Sequence, residues 1–150
     1  MLHYGRGHTG GDAIIYFPAL KVIHTGDLFL TNPPQPFIDY AQGGSAAEWT
    51  GTLDQTLKLD FDVAVPSTGP TVSRAQIEAF KAKIDTLVSR ASALVNTGLP
   101  KDELMSRLRT DDLGWQLKFT PDQVDRFYAE LSQREATPQP GKLSASSEQR

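Results

Sequence analysis

The stretch Gly5-Arg6-Gly7-His8-Thr9-Gly10-Gly11-Asp12 sets an imidazole in a glycine-rich turn, and Gly26-Asp27-Leu28 sets a carboxylate just beyond a later apolar run. Imidazole and carboxylate are both ligands for a divalent cation such as zinc, and loops leaving one edge of a sheet are a common way to bring such donors together. Two donors fall short of a site, because zinc is held by about three protein ligands. His3 and His24 are the other histidines. His24 precedes Asp27 by three positions inside a strand pattern, so regular alternation sends the two side chains to opposite faces. Both read first as packed, edge or frayed-end residues and second as replacement ligands. Asp12 reads as a turn-stabilising carboxylate before it reads as a ligand. The glycines at 5, 7, 10 and 11 lack the spacing and the lysine of a phosphate cradle, so a tight turn is the better account.

The elements that must position these residues are legible on either side. Asp12–Phe17 and Lys21–Thr25 are short β-branched and aromatic runs, the first closed by Pro18, and read as adjacent strands of a hairpin. Asn32-Pro-Pro-Gln-Pro36 excludes regular structure, because each proline removes a donor and restricts its predecessor, and predicts an extended surface loop. Phe37 and Tyr40 in that loop are the candidates for substrate contact. Ser45 with Glu48 forms a capping-box pattern ahead of Trp49, Leu53 and Leu57, predicting a helix from Ala46 to about Leu59.

Phe61–Pro66 is a third strand, turned at Ser67-Thr68-Gly69-Pro70. Ser73 and Gln76 open the longest helix, whose apolar positions Ile77, Phe80, Ile84, Leu87, Val88, Ala91, Leu94 and Val95 keep helical period up to Gly98. An amphipathic piece from Asp102 to about Thr110 follows, and Thr120-Pro121-Asp122-Gln123 opens a last helix with Val124, Phe127, Tyr128 and Leu131 on one face. Trp49, Trp115, Phe80, Phe127 and Tyr128 read as core or interface aromatics. From Ala136 the chain is Pro, Gln, Ser and Lys with almost nothing apolar, which predicts a disordered tail.

Composition narrows the function classes. A formal charge of −3 lacks the basic excess that binds phosphate backbones, so nucleic acid is not an expected partner. With no cysteine there is no disulfide, thiolate metal site or cysteine nucleophile. No apolar run approaches the roughly 20 residues that span a bilayer, and Met1–His8 has no signal-peptide pattern. The expectation is a soluble, cytoplasmic chain with no membrane partner. The motif turn comes within eight residues of Met1, so the original domain is expected to start upstream.

The order strand, strand, helix, strand, helix, with Gly7-His8-Thr9-Gly10-Gly11-Asp12, Gly26-Asp27-Leu28-Phe29 and Pro66-Ser67-Thr68-Gly69-Pro70 in the loops, resembles the C-terminal half of a metallo-β-lactamase-fold hydrolase. The resemblance covers roughly Leu2 to Phe80. It implies an α/β fold, half of an αββα sandwich with additional C-terminal helices. It further implies one or two zinc ions at the loop edge, activating water to hydrolyse an ester, amide, thioester or phosphoester of a small molecule. By the resemblance His8 completes the first metal and Asp27 bridges both. An upstream H-x-H-x-D-H motif should supply most other ligands, and it is absent from this sequence. The last histidine of the family pattern is replaced by Thr68, whose hydroxyl is a poor substitute for imidazole on zinc.

The resemblance divides the chain into a β-layer with one helix at 1–72, a helical extension packing on the sheet at 73–135, and the tail at 136–150. One layer of a two-layer sandwich leaves a sheet face uncovered, at Ile15, Phe17, Val22 and Val63. Its cover is expected to be the missing N-terminal half, the C-terminal helices, or a second copy in a two-fold homodimer. Two functions follow: a zinc-dependent hydrolase with an incomplete metal site in this chain, or a non-catalytic remnant or interaction module, homodimeric, that keeps the fold without the chemistry.

Overall fold

A computed structural model describes residues 1–31 and 35–135. The first two runs form β1 (Ile15–Phe17) and β2 (Val22–Gly26), antiparallel, with Ile15 opposite His24 and Phe17 opposite Val22. A single 3-10 turn at Pro18–Leu20 joins them. β3 (Val63–Pro66) lies parallel to β2, so the chain crosses over between them and places α1 (Ala46–Thr56) in the crossover. β4 (Val72–Ser73) adds a short antiparallel edge, giving the order β1-β2-β3-β4. α2 (Arg74–Asn96), α3 (Lys101–Arg107) and α4 (Pro121–Glu135) follow. The fold is mixed α/β: one sheet with its helices.

The helix starts fall where the capping residues put them. Ser45 Oγ accepts from the Glu48 amide at 3.1 Å, and Ser73 with Gln76 makes both halves of a capping box. Thr120 and Gln123 exchange bonds of 2.9 and 3.3 Å at the head of α4. α1 ends at Thr56, short of the predicted Leu59: Lys58 N and Leu59 N close tighter turns on the Gln55 and Thr56 carbonyls, and the guanidinium of Arg74 donates to the freed Leu57 and Leu59 carbonyls, the latter at 2.8 Å.

Alternation then decides which sheet face is covered. Ile23, Ala64 and Val72 point inward, 0%, 0% and 4% exposed, and join Trp49 and Leu53 of α1 with Ile77, Phe80, Ile84 and Leu87 of α2 in one core. Phe127 and Leu131 of α4 belong to the same core, which therefore runs across the expected boundary at residue 72. The opposite face carries Ile15, Phe17 and Val63, 43%, 46% and 37% exposed, with Val22, His24 and Val65 half-buried beside them.

The C-terminal helices do not fold over that outer face. Their apolar stripes are already committed to the inner one. Of the expected surface loop at 32–36, Pro36 is buried, and residues 32–34 and the tail at 136–150 lie outside the described residues. No described helix is long and apolar enough to cross a membrane.

Candidate metal site

The His8 turn and the Asp27 turn meet at the end of β2. Gly7 makes the approach possible: a β-carbon there would sit 2.6 Å from Leu28 Cδ2 and 2.9 Å from Trp49 Cγ. Leu28 is buried beneath the turn, and the indole Nε1 of Trp49 donates to the Leu28 carbonyl at 3.2 Å, which fixes the Asp27 turn to α1. The strand ends on the same turn through Leu28 N to Thr25 O, 3.2 Å, and Ser67 N to Gly26 O, 3.1 Å.

The His8 turn rests on the loop that leads into α1. Three backbone bonds zip the two together: Asp39 N to His8 O at 2.9 Å, Gly10 N to Gln42 O at 2.9 Å, and Ser45 N to Gly7 O at 2.9 Å. Gly44 allows the close pass, since a β-carbon there would overlap the His8 carbonyl oxygen. Asp12 holds the turn from within, its Oδ1 accepting from Thr9 N at 3.0 Å and Thr9 Oγ1 at 2.8 Å. It occupies the turn-stabilising role.

The imidazole is held at both nitrogens. Nδ1 lies 2.7 Å from the Phe37 carbonyl oxygen, which can only accept, so Nδ1 carries the proton and donates. Nε2 is then the nitrogen directed at Asp27 Oδ2, 3.3 Å away. Ser67 Oγ donates to the other oxygen of Asp27, leaving Oδ2 for whatever lies between it and the imidazole. Two ligands each about 2.0–2.1 Å from a tetrahedral zinc would stand about 3.3 Å apart. The pair therefore has the spacing of two ligands on one metal.

The donor set fits a metal only in part. Among the described residues, no three His, Asp or Glu side chains gather closely enough to hold one. His24 Nδ1 accepts from the Gly26 amide at 3.1 Å on the outer sheet face, and His3 Nδ1 bonds the Asp12 carbonyl at 2.7 Å. Neither joins the pair. Thr68 is exposed and offers its carbonyl to Thr31 Oγ1 at 2.9 Å. Phe37, 53% exposed, sets its ring 5.3 Å from the imidazole.

Tyr40, the other proposed substrate contact, is buried, and its hydroxyl donates to Glu130 at 2.6 Å. Burial, with Glu130 alongside, pushes that phenol far above its ordinary value, so it stays protonated. Glu130 was not visible as a site residue in the sequence. Its partners lie 84 to 90 positions away.

Residues 1–68 match the model of the metallo-beta-lactamase superfamily. No curated protein matches the chain. Solved structures that resemble it include the metallo-beta-lactamase FIM-1 from Pseudomonas aeruginosa in a mono-zinc form, 17% identical over 56% of this chain and 38% of that one, with a TM-score of 0.48. A metallo-beta-lactamase from Pontibacter korlensis is 20% identical over 56% and 40%, TM-score 0.49, and VMB-1 is 16% identical over 56% and 39%, TM-score 0.49. The matched region thus spans about two fifths of each of these structures. The family match over residues 1–68 takes in both His8 and Asp27, and it is over this segment that the chain is similar to the metallo-beta-lactamase superfamily.

Proposed function

We propose that this chain contributes part of a zinc-dependent hydrolase site for a small-molecule substrate, with His8 and Asp27 as ligands and the remaining donors supplied from outside the described residues. One observation carries the reading. With Nδ1 bonded to the Phe37 carbonyl, Nε2 faces a carboxylate oxygen at 3.3 Å, and once Nε2 is unprotonated the two atoms are placed to share a cation. Bound zinc would polarise the scissile bond and activate water. The chain's own contribution is positional: Phe37 O fixes the tautomer, Ser67 orients Asp27, and the exposed Phe37 ring offers an apolar contact at the mouth.

Equilibrium dialysis against zinc tests this on the wild type, His8→Ala and Asp27→Ala. The wild type should bind weakly and both variants should lose binding. Equal zinc content in all three would refute the ligand assignment.

A second reading, an interaction module, rests on the outer sheet face. Ile15, Phe17 and Val63 are each more than a third exposed on one surface, and completing the burial of each is worth on the order of 1 kcal/mol. A second copy related by a two-fold axis is the simplest cover. Light scattering at high concentration should then report a dimer that Phe17→Glu dissociates. A compact wild-type monomer contradicts it.

A further inference from the structure

We infer that Glu130, on the C-terminal helix α4, is a positioning residue for the His8–Asp27 pair: it clamps the loop on which His8 rests. The inference builds on the metal-site reading above.

Glu130 accepts on both of its oxygens from one short segment. Tyr40 Oη donates to Oε1 at 2.6 Å, Ser45 Oγ donates to Oε2 at 2.6 Å, and the Ala46 amide donates to Oε1 at 3.2 Å. The carboxylate thus sits at the N-terminus of α1, where its charge meets first-turn amides that have no acceptor within the helix. Ser45 keeps its cap at the same time, because its hydroxyl donates to Glu130 while accepting from the Glu48 amide. A second contact from α4, Gln123 Nε2 to the Ile38 carbonyl at 3.4 Å, lies beside the residue that holds His8.

Phe37 through Ser45 is the platform for His8. Phe37 O receives the imidazole proton, and Asp39, Gln42 and Ser45 make the three backbone bonds to the turn. Glu130 grips this platform at Tyr40 and at Ser45. Hydrophobic packing of α4 through Phe127 and Leu131 does not require a carboxylate, and burying one is costly unless it is bonded. Those bonds explain why the residue is there. Releasing them leaves the loop tied to α4 through packing and the single Gln123–Ile38 bond, and lets the Phe37 carbonyl move off Nδ1.

The test uses the full chain as wild type, Glu130→Ala, Glu130→Gln and Tyr40→Phe, each checked for a retained circular-dichroism spectrum. Long-range nitrogen–proton correlation of the His8 ring, recorded without zinc, should show a single Nδ1–H tautomer in the wild type and a mixture in Glu130→Ala, with the His3 and His24 rings unchanged. Zinc affinity should fall by up to about the 10- to 100-fold that losing the direct partner of a ligating histidine costs, since Glu130 acts on His8 through Phe37. Glu130→Gln, whose one oxygen can still accept from Tyr40 and Ala46 while its amide nitrogen donates to Ser45 Oγ, should restore most of both properties. Tyr40→Phe, which keeps the packing and removes one bond, should move both in the same direction by less, and it replaces Glu130→Ala if that variant fails to fold.

A wild-type His8 tautomer in both Glu130→Ala and Tyr40→Phe would overturn the clamp. Tautomer mixing in Glu130→Ala without zinc binding by any form would uphold the clamp and sink the metal reading.

Discussion

The Nε2 of His8 faces Oδ2 of Asp27 at 3.3 Å, and Ser67 Oγ donates to the second oxygen of the same carboxylate. Ser67 therefore decides which oxygen is left over. Ser67→Ala frees Asp27 to rotate, and zinc binding should weaken about 10-fold or more while the melting temperature stays within a degree or two of wild type, as is usual for an exposed position. Chelator competition with parallel thermal melts checks both halves.

Gly7 lets the His8 turn settle on the Asp27 turn. In Gly7→Ala the new methyl meets Leu28 Cδ2 and the Trp49 ring within 3 Å, and the side chains beneath it are buried. Overpacking of this kind costs about 1–3 kcal/mol. Denaturant unfolding should show that loss, with zinc binding reduced by more than stability alone explains, since the displaced turn carries His8.

Phe80 ties together three separate parts of the chain. Its ring lies 5.0 Å from Phe29, 6.0 Å from Trp49 and 5.8 Å from Trp115, and it is 6% exposed. Phe80→Ala should cost about 3–5 kcal/mol. Because Trp49 and Trp115 flank the cavity, their fluorescence reports the change in the folded state as well as the shifted unfolding midpoint.

Burial raises the Glu130 carboxyl above its ordinary 4.5, against the opposing pull of the Ser45, Tyr40, Ala47 and Ala46 donors. A carboxyl raised in the folded state favours folding when protonated. That contribution is complete below pH 4.5 and is lost as pH rises through the raised value. The stability of the wild type relative to Glu130→Gln should therefore fall between pH 4.5 and neutrality, as measured by urea unfolding across that interval.

The parts of the fold that were legible are those written in neighbouring residues. Ser45, Ser73 and Thr120 mark helix starts because a cap acts over three positions, and the hairpin of β1 and β2 follows from two β-branched runs around Pro18. β4 carries no local signal: Val72 and Ser73 become a strand because β3 runs beside them. The His8 and Asp27 turns are readable as two candidate donors, whereas the proline-rich neighbourhood offers Tyr40 as a candidate for substrate contact. It is buried instead, because the loop folds back against α4 and Glu130 takes its hydroxyl. That interaction spans 90 positions, and no pattern within a window of sequence contains it.

The exposed outer face was legible from alternation, since Ile15, Phe17 and Val63 fall on one side once the register is fixed.

The most direct test of the account is to follow the three histidine rings by nitrogen–proton correlation while zinc is added to the wild-type chain. The account predicts that His8 Nε2 alone shifts, with its Nδ1–H retained against Phe37, and that Asp27→Asn abolishes the shift. A zinc response at His3 or His24 with His8 unmoved, or no response from any of the three, would contradict it.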